Sequence, residues 1–331
     1  MQSNSNSTSA QTDASTTPHV SIVTPAYNEG AHIRECAESI LSQSYTRWDW
    51  TVVDNVSTDD TYEAISSIAA GHERIRVVRN DRFLKNTENH NQAFRQVSPK
   101  AGYCKLVAAD DVLRPDCIRR LVEVAKAHPR VAIVGSLAHE NGKVRFEGIP
   151  PSRVRMSGVE ICRAHFLGGP YVFGVPTSVL YRADIVRSRH SFYNERNIHA
   201  DTEVCYEFLR DADFGFVHEE LSDLRVRPGS ETSYSQRLGT YRYGRLVVLL
   251  KYGRHYLTET EWASLVEDEI RLYRRFLGKN RLRKWGPEFW DYHLPRLEEL
   301  GFPVTRGEVY RSSFDFVRDV IRQRLGRNNV E

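Results

Sequence analysis

The chain has 331 residues, of which 40% are hydrophobic and 27% charged, so it can bury a large core in one main domain with an appendage. Its formal net charge of +3 is too small to indicate a nucleic-acid partner, and its five scattered cysteines form no CxxC pair that would indicate a zinc site or a disulfide framework. No stretch reaches the ~20 apolar residues of a membrane span, and the N-terminus lacks the pattern of a signal peptide. We therefore expect a cytoplasmic protein with reduced thiols.

The elements follow a regular order along the chain. Residues 1–18 are mostly small and polar, which predicts a disordered tail. From residue 19 onward, short β-branched runs alternate with amphipathic segments, as in an α/β fold with a mostly parallel sheet flanked by helices. The predicted strands are residues 20–24, 50–54, 75–79, 103–108 and 132–134, and the predicted helices are 31–44, 59–70, 88–97 and 115–127. Gly71 is predicted to cap its helix, and Pro115 to open the next one.

Three acidic sites fall at the carboxyl ends of predicted strands, where ligands bind in open α/β sheets. Asp54 ends the second strand, and Asp59 and Asp60 follow it in a turn. The pattern around Asp59 and Asp60 is typical of first-turn helix acids, which the helix dipole favours. Asp110 and Asp111 end the fourth strand. The helix-dipole explanation does not apply to Asp54 or to this pair, so they are the candidate ligand-binding acids.

Asp110 and Asp111 are adjacent carboxylates and should repel each other unless a cation lies beside them. A hard divalent cation, Mg²⁺ or Mn²⁺, fits these oxygen ligands, and a diphosphate would complete its coordination. Taken alone, the pair could instead cap the helix that follows at Pro115.

Several segments in order carry a resemblance to a known family. They are "VSIVTPAYNEG", "WTVVDNVSTDDT", "ENHNQAF", "VAADDVLRPD", "HADTEVCYEFL" and "LRVRPGSETS". Together they resemble family 2 glycosyltransferases of the GT-A fold over residues 19–235, divided into a nucleotide-sugar half (19–135) and an acceptor half (136–235). The resemblance implies an inverting, hexosyltransferase-like enzyme. Its donor would be a nucleotide-diphosphate sugar, a UDP-sugar for preference, and its acceptor a hydroxyl of a glycan or a lipid-linked glycan.

The resemblance also implies roles for single residues. Pro25, Tyr27, Glu29 and Asp54 would hold the nucleotide, and the ring of Tyr27 suits contact with a base. Asp110 would contact the donor as well as the metal ion.

The acidic motif departs from the usual Asp-x-Asp-Asp of the family, because Ala108 stands at its first position. This puts one sugar or ribose contact in doubt but leaves Asp110 and Asp111 for the metal. Asn89 and Asn91 match family asparagines, although they could equally be ordinary solvated positions.

By the same resemblance, Asp201 is the catalytic base that deprotonates the acceptor hydroxyl. Ala200 replaces the glutamate that usually precedes it, and Glu203 is a second candidate base. Asp201 could alternatively be a helix cap. His199 could bond to the acceptor or to metal-bound water, but a lone histidine is more often a satisfied structural residue.

Two further segments match the family. Arg225 and Arg227 precede Pro228 in a basic segment that would grip the diphosphate once the donor binds. Gly174, Pro176 and Thr177 match the floor of the acceptor pocket, or they form a buried strand with a bulge.

Residues 236–331 lie beyond the resemblance and are predicted to form a helical C-terminal subdomain. Its first part carries basic residues interleaved with tyrosines: Arg237, Arg242, Arg245, Lys251, Arg254, Arg271 and Arg274. Such a segment could contact an anionic membrane, which would place the protein at the inner face. Alternatively, its apolar run packs onto the catalytic domain.

Other function classes are weakened by missing motifs. A nucleotidyltransferase should carry a glycine-rich basic loop where "TPAYNEG" stands, and a dinucleotide oxidoreductase should carry GxGxxG. An inactive scaffold that binds a nucleotide sugar is supported only by Ala108 and Ala200.

Overall fold

The computed structural model describes residues 17–227 and 229–327, so most of the predicted tail and Pro228 lie outside the described residues. The strands are β1 Val20–Ala26, β2 Trp48–Asp54, β3 Ile75–Arg79, β4 Tyr103–Leu106, β5 Val112–Leu113, β6 Val131–Glu140, β7 Lys143–Arg145, β8 Arg155–Ser157, β9 Val179–Arg182 and β10 Asp213–Leu224. The helices are α1 Ile33–Leu41, α2 Thr61–Ala70, α3 Asn86–Phe94, α4 Cys117–Ala127, α5 Gly158–Phe166, α6 Ala183–Arg187, α7 Ala200–Phe208, α8 Glu231–Leu238, α9 Tyr241–Tyr256, α10 Glu259–Leu282, α11 Pro287–Glu299 and α12 Arg306–Arg327.

The strands form one sheet in the order β3-β2-β1-β4-β9-β6-β10-β5, with β7 beside β6 and β8 beside β10. Strands β1 to β4 pair in parallel, as do β6 and β10, whereas β9 and β5 run antiparallel to their neighbours. The chain leaves β1 towards β2 and returns on its other side as β4. This reversal creates a crevice at the carboxyl ends of β1 and β4, which is where open α/β sheets bind ligands.

The predicted strands and helices of the first half are all present, and the α/β fold class is confirmed. The main differences are at element ends. Pro115 does not open α4: it precedes the N-cap Asp116, and its carbonyl accepts the N–H of Ser44 at 2.8 Å. The last predicted strand is much longer in the structure, as β6, because it pairs along its length with β10.

The sheet is covered on both faces, because alternate strand residues point to opposite sides. Ile22 and Val52 belong to an apolar cluster with α1, α2 and α4, while Val23 and Val53 belong to a cluster with α3, α5, α6, α7 and α9. These side chains are fully buried. The sheet is therefore a rigid platform for the loops at its carboxyl edge.

Helices α8 to α12 form a third apolar cluster, and α9 joins it to the sheet. Leu246 packs in the third cluster, whereas Leu249 packs against the α7 side of the sheet. Two basic residues of α9 form ion pairs: Arg245 pairs with Glu269, and Lys251 Nζ lies 2.7 Å from Glu203. The apolar run of this stretch therefore packs inside the protein, as its packing alternative predicted, while a membrane contact of its basic residues stays a prediction. Among the described helices, none is both long and apolar enough to cross a membrane.

Two glycines at helix ends, Gly158 and Gly71, provide a matched test of how closely the backbone packs there. A Cβ at Gly158, where β8 enters α5, would lie 2.0 Å from the Leu209 carbonyl oxygen, so Gly158→Ala should cost ~3 kcal/mol of unfolding free energy. Gly71 caps α2 with φ −92° and ψ 0°, and its Cβ would meet nothing closer than 3.7 Å. Gly71→Ala should therefore change stability by less than ~0.5 kcal/mol. Urea unfolding of both variants checks the contrast, which equal effects would contradict.

Candidate active site

The loop after β4 places two carboxylates in the crevice between β1 and β4. Asp111 is 5% exposed, and both its oxygens bond within the protein. Its Oδ2 accepts the hydroxyl of Thr177 at 2.5 Å, and its Oδ1 accepts the backbone N–H of Arg225 at 2.9 Å. Burial, followed by the charge of Asp110, raises the pKa of Asp111 to about 7. Asp111 thus fastens three chain segments together.

Thr177 lies in a short 3₁₀ turn, Pro176–Ser178, that sits under this loop. Its hydroxyl also accepts the N–H of Ala108 at 3.0 Å, and its carbonyl accepts the ammonium of Lys105. Lys105 is fully buried in β4 and donates to the Val179 carbonyl at 3.1 Å as well, and burial lowers its pKa. Lys105 was not predicted from the sequence, although a lysine within the apolar run "YCKLVAA" is unusual enough to indicate a special role.

Asp110 is the more accessible carboxylate of the pair, with 14% of its side chain exposed. The Nε of Arg227 lies 2.9 Å from its Oδ2, and the other end of the same guanidinium pairs with Glu29. The second oxygen of Glu29 is buried without a hydrogen-bond partner among the described residues. Burial raises the pKa of Asp110. Asp110 and Glu29 therefore form a site that favours positive charge, and Arg227 now supplies it.

This charge pattern fits a divalent cation, because an unpartnered buried oxygen beside a second carboxylate suits a hard ion. The described residues contain no group of three or more His, Cys, Asp or Glu side chains arranged to hold a metal by themselves. A cation bound at Asp110 would take further oxygen ligands from water or from a bound ligand such as a diphosphate.

The arginines of the segment after β10 point to different places. Arg227 reaches the acidic loop, whereas the guanidinium of Arg225 bonds to His32 Nδ1 at 3.1 Å and to Glu35 at 2.5 Å, both at the start of α1. Arg225 and Arg227 together hold the segment after β10 over the crevice.

The predicted nucleotide residues lie along the ends of β1 and β2. Pro25 and Val53 are register partners, as are Ala26 and Asp54, so Tyr27 follows the residue that lies opposite Asp54. Asp54 is fully buried and pairs with Arg79 Nε at 3.3 Å. The ring of Tyr27 is 42% exposed.

Phe83, which was not predicted from the sequence, forms an aromatic rim with Tyr27. Its ring centroid lies 4.9 Å from that of Tyr27 at an edge-on angle of 64°, and both rings are exposed. Asn55 holds the Phe83 loop by exchanging hydrogen bonds of 2.8 and 2.9 Å with the backbone of Leu84. Such a pair of exposed rings beside a buried acid can hold a nucleobase.

The two asparagines of "ENHNQAF" are buried rather than solvated. Asn89 accepts a hydrogen bond from Asn80 at 3.0 Å, which ties α3 to the loop after β3. Asn91 exchanges bonds of 2.7 and 2.8 Å with the backbone of Tyr193, linking α3 to the second half of the sheet. Their alternative reading as solvated positions is therefore wrong.

Asp201 lies in the first turn of α7, and its Oδ1 accepts the N–H of Thr202 at 2.8 Å. Burial raises its pKa to about 6, and the negative charge of Glu231 adds to the shift. The rings of Tyr171 and Tyr241 flank it and are 37% and 51% exposed. Burial and the charge of Asp201 raise the pKa of both phenols. A carboxylate of this kind can accept a proton near neutral pH.

Glu231 was not predicted from the sequence. It begins α8 and bonds to Asn86 at the start of α3, so it bridges the two halves of the molecule. Burial raises its pKa, as expected for a half-buried acid.

Glu203 and His199 are structural. Glu203 is 2% exposed and accepts bonds of 2.7 Å from both Lys251 and Asn197. Burial would raise its pKa, but the bonds from Lys251 and Asn197 hold the pKa below its usual value. His199 bonds to Thr240 at 2.9 Å, and burial lowers its pKa to about 4. Glu203 is thus a poor alternative base. His199 is a structural residue whose ring is hydrogen-bonded, which is the simpler of its two interpretations.

The predicted acceptor floor is a tight turn beside Asp201. Gly174 has φ +67°, and a Cβ there would lie 2.1 Å from the Ser178 hydroxyl, so the turn requires glycine. Tyr171 donates to the Gly174 carbonyl at 3.1 Å and lies 2.7 Å from the Thr202 hydroxyl. These contacts join the turn to the first turn of α7.

Comparisons with known proteins identify the family and the fold. A family model described as glycosyl transferase family 2 matches residues 21–189, half of the chain. Glycosyltransferase GlyG of Streptococcus pneumoniae is 26% identical over 227 residues, which cover 64% of this chain and 72% of GlyG. The uncharacterized protein y4gI of Sinorhizobium fredii is 33% identical over 224 residues, which cover 64% of this chain, but the matched part spans only 23% of y4gI.

Two solved structures share the fold. The Staphylococcus aureus TarS fragment 1–349 in complex with UDP-GlcNAc has a TM-score of 0.58 at 15% identity, covering 76% of this chain and 72% of TarS 1–349. The mannosyltransferase PcManGT of Pyrobaculum calidifontis, in complex with GDP-Man and Mn²⁺, has a TM-score of 0.54 at 13% identity, covering 91% of this chain and 88% of PcManGT. By its family match and its GT-A fold, the chain belongs to glycosyl transferase family 2.

Proposed function

We propose that the protein transfers a sugar from a nucleotide-diphosphate donor, a UDP-sugar for preference, to a hydroxyl of a glycan or lipid-linked glycan, with inversion at the anomeric carbon. The observation that carries the proposal is the pairing of two sites. The aromatic rim and the cation-favouring pair Glu29 and Asp110 suit a nucleotide diphosphate, and Asp201 offers a carboxylate with a raised pKa. The UDP-GlcNAc and GDP-Man complexes of TarS and PcManGT support this donor class.

In this proposal Tyr27, Phe83 and Asp54 hold the nucleoside, with Pro25 shaping the strand end beneath them. Asp110, with Asp111 beside it, would hold a divalent cation, Mg²⁺ or Mn²⁺, and the Mn²⁺ of PcManGT supports this kind of ion. Such a cation neutralises charge that develops on the leaving diphosphate. Because Asp111 is already bonded to Thr177 and Arg225, Asp110 is the principal ligand from the protein.

Arg227 has a second role once the donor is present. Its guanidinium can exchange the carboxylates of Asp110 and Glu29 for diphosphate oxygens, which are equally good partners for its planar fork. Arg225 anchors the segment to α1 and positions Arg227 over the crevice. The arginine then stabilises the leaving group while the segment excludes water.

Asp201 performs the acceptor step. It removes the proton of the acceptor hydroxyl as that oxygen attacks the anomeric carbon on the face opposite the diphosphate. Tyr171 and Tyr241 stand on either side of it, and exposed aromatic rings of this kind suit a sugar acceptor. We place this reaction in the cytoplasm, at the inner face of an anionic membrane where a lipid-linked acceptor would be presented.

The proposal is tested by incubating the purified protein with UDP- and GDP-sugars in the presence of Mn²⁺ or Mg²⁺ and measuring nucleotide release and thermal stabilisation. A donor that stabilises the protein and is consumed supports it. Stabilisation by a donor without turnover, across a broad set of glycan acceptors, would support the scaffold alternative instead.

Asp201→Asn should lower transfer by roughly 10²- to 10⁴-fold, because asparagine keeps the shape and most hydrogen bonds but cannot take a proton. Donor affinity should not change. Glu203→Gln is the matched control on the same helix: it weakens the contacts to Lys251 and Asn197, so it should lower thermal stability and spare turnover of the folded enzyme. Full activity in Asp201→Asn would contradict the role of Asp201.

The rate of transfer should rise with pH around 6, because Asp201 acts as a base only when it is deprotonated and its pKa is raised to about 6. Glu231→Gln removes a neighbouring negative charge that favours the protonated form, so the rise should move to lower pH. Initial rates between about pH 5 and 8 check both statements. An unshifted profile in Glu231→Gln would show that this charge does not act on the base.

Removal of the cation should weaken donor binding. In titrations of UDP, EDTA should lower the affinity of the wild type, and Asp110→Asn should lower it by at least roughly tenfold in the presence of Mn²⁺. Asp211→Asn, which alters a carboxylate with a 72% exposed side chain in the turn before β10, should bind UDP like the wild type. Affinity that is indifferent to EDTA would exclude a metal at Asp110.

A further inference from the structure

The last helix carries a row of exposed apolar side chains. Tyr310, Phe314, Val317 and Ile321 follow one another at spacings of four, three and four residues, which places them on one side of α12. Their exposed fractions are 49%, 72%, 41% and 51%. Soluble surfaces rarely present such large apolar side chains in a contiguous row, so this side of α12 is a candidate contact surface.

The neighbouring helix adds positive charge to the same surface. Residues 270–284, the second half of α10 and the two residues after it, contain seven Lys and Arg and no Asp or Glu. Asp268 and Glu308 pair with Arg271 and Arg274, so the excess of positive charge lies towards the end of the segment, around Arg283 and Lys284.

The charged and apolar parts are continuous. The guanidinium of Arg281 lies 3.4 Å from the centre of the Tyr310 ring, the first member of the apolar row. The hydroxyl of Ser313 donates to the Gly278 carbonyl at 3.0 Å, which fixes α12 along α10. We call the surface formed by Tyr310, Phe314, Val317 and Ile321 with Arg281 and the basic end of α10 the α10–α12 surface.

We propose that the α10–α12 surface docks on an anionic lipid bilayer, with the apolar row in the headgroup region and the arginines and lysines on the lipid phosphates. This adds a contact surface to the proposed function, and it moves the membrane contact from α9, which is packed inside the protein, to α10 and α12. An anionic bilayer offers both requirements in one plane, apolar depth for Phe314 and Ile321 and negative charge for Arg283 and Lys284.

A second copy of the chain fits the surface less well. Two such surfaces facing each other would bring the basic ends of two α10 helices together, and like charges across an interface are unfavourable. The apolar row is also short, because it spans only residues 310–321 of α12. Nucleic acid would satisfy the basic residues but would leave Phe314, Val317 and Ile321 without apolar contacts.

The test is co-sedimentation of the full chain with vesicles of phosphatidylcholine containing about 30% phosphatidylglycerol, compared with phosphatidylcholine alone. Wild-type protein should bind the anionic vesicles and be released in 1 M NaCl, where the Debye length is about 3 Å. Phe314→Glu/Ile321→Glu should reduce binding by at least roughly tenfold, because it places charges in the apolar row. Arg283→Gln/Lys284→Gln should reduce it by about fivefold per charge.

Matched controls alter the same kinds of residue elsewhere. Val159→Glu changes an exposed apolar residue of α5, and Lys100→Gln/Lys126→Gln removes two exposed charges from the sheet domain. Both should bind anionic vesicles like the wild type, and circular dichroism should show all variants folded.

Three outcomes would overturn the proposal: wild type that does not bind anionic vesicles, Phe314→Glu/Ile321→Glu that binds them normally, or a smaller particle in size exclusion for that variant without loss of vesicle binding, which would indicate a contact between copies. Titration of UDP with Mn²⁺ separates this proposal from the proposed function. Variants of the α10–α12 surface should bind UDP like the wild type, so lost vesicle binding with intact UDP binding supports the surface alone.

Discussion

The buried carboxylate of Asp111 is the constraint on which the active-site crevice depends. It accepts hydrogen bonds from Thr177 and from the backbone of Arg225, and thereby joins the loop after β4, the turn Pro176–Ser178 and the segment after β10. Removing one of these neutral donors leaves a buried acceptor unsatisfied, at a cost of roughly 1 to 3 kcal/mol. Lys105 supports the arrangement from below, because its ammonium holds the backbone on which Thr177 sits.

This constraint also explains why the acidic pair is unequal. Both oxygens of Asp111 are hydrogen-bonded within the fold, whereas Asp110 faces the crevice and shares Arg227 with Glu29. One carboxylate of the pair therefore builds the site and the other is available to a ligand. In this structure the guanidinium of Arg227 pairs with both Asp110 and Glu29. A ligand can replace it there without disturbing the hydrogen bonds of Asp111.

Helix α7 shows how two nearby acids acquire different properties. Asp201 has a raised pKa because burial and Glu231 disfavour its charge, whereas Glu203, two residues later, has a lowered pKa because Lys251 and Asn197 bond to it. The two side chains have different surroundings, because Asp201 lies near Tyr171 and Tyr241 whereas Glu203 bonds to Lys251 and Asn197. Groups whose pKa values are pushed apart in this way commonly have separate roles.

The sequence by itself determined the α/β character of the first half and the positions of its carboxylates, because period-two strands and amphipathic helices are local patterns that survive any arrangement of the sheet. It also indicated the chemistry of Asp54, Asp110 and Asp201 through ordered motifs. The tertiary structure decided the rest: that Asn89 and Asn91 are buried links, that Glu203 bonds to Lys251, that Phe83 packs against Tyr27, that Lys105 bonds to the Thr177 carbonyl, and that Glu231 bonds to Asn86. It likewise decided that the apolar run of α9 is buried and that an apolar row of α12 is exposed, because the same basic and apolar composition suits either place until the partners of each face are known. Those partners lie tens of residues away along the chain, and no local pattern specifies them.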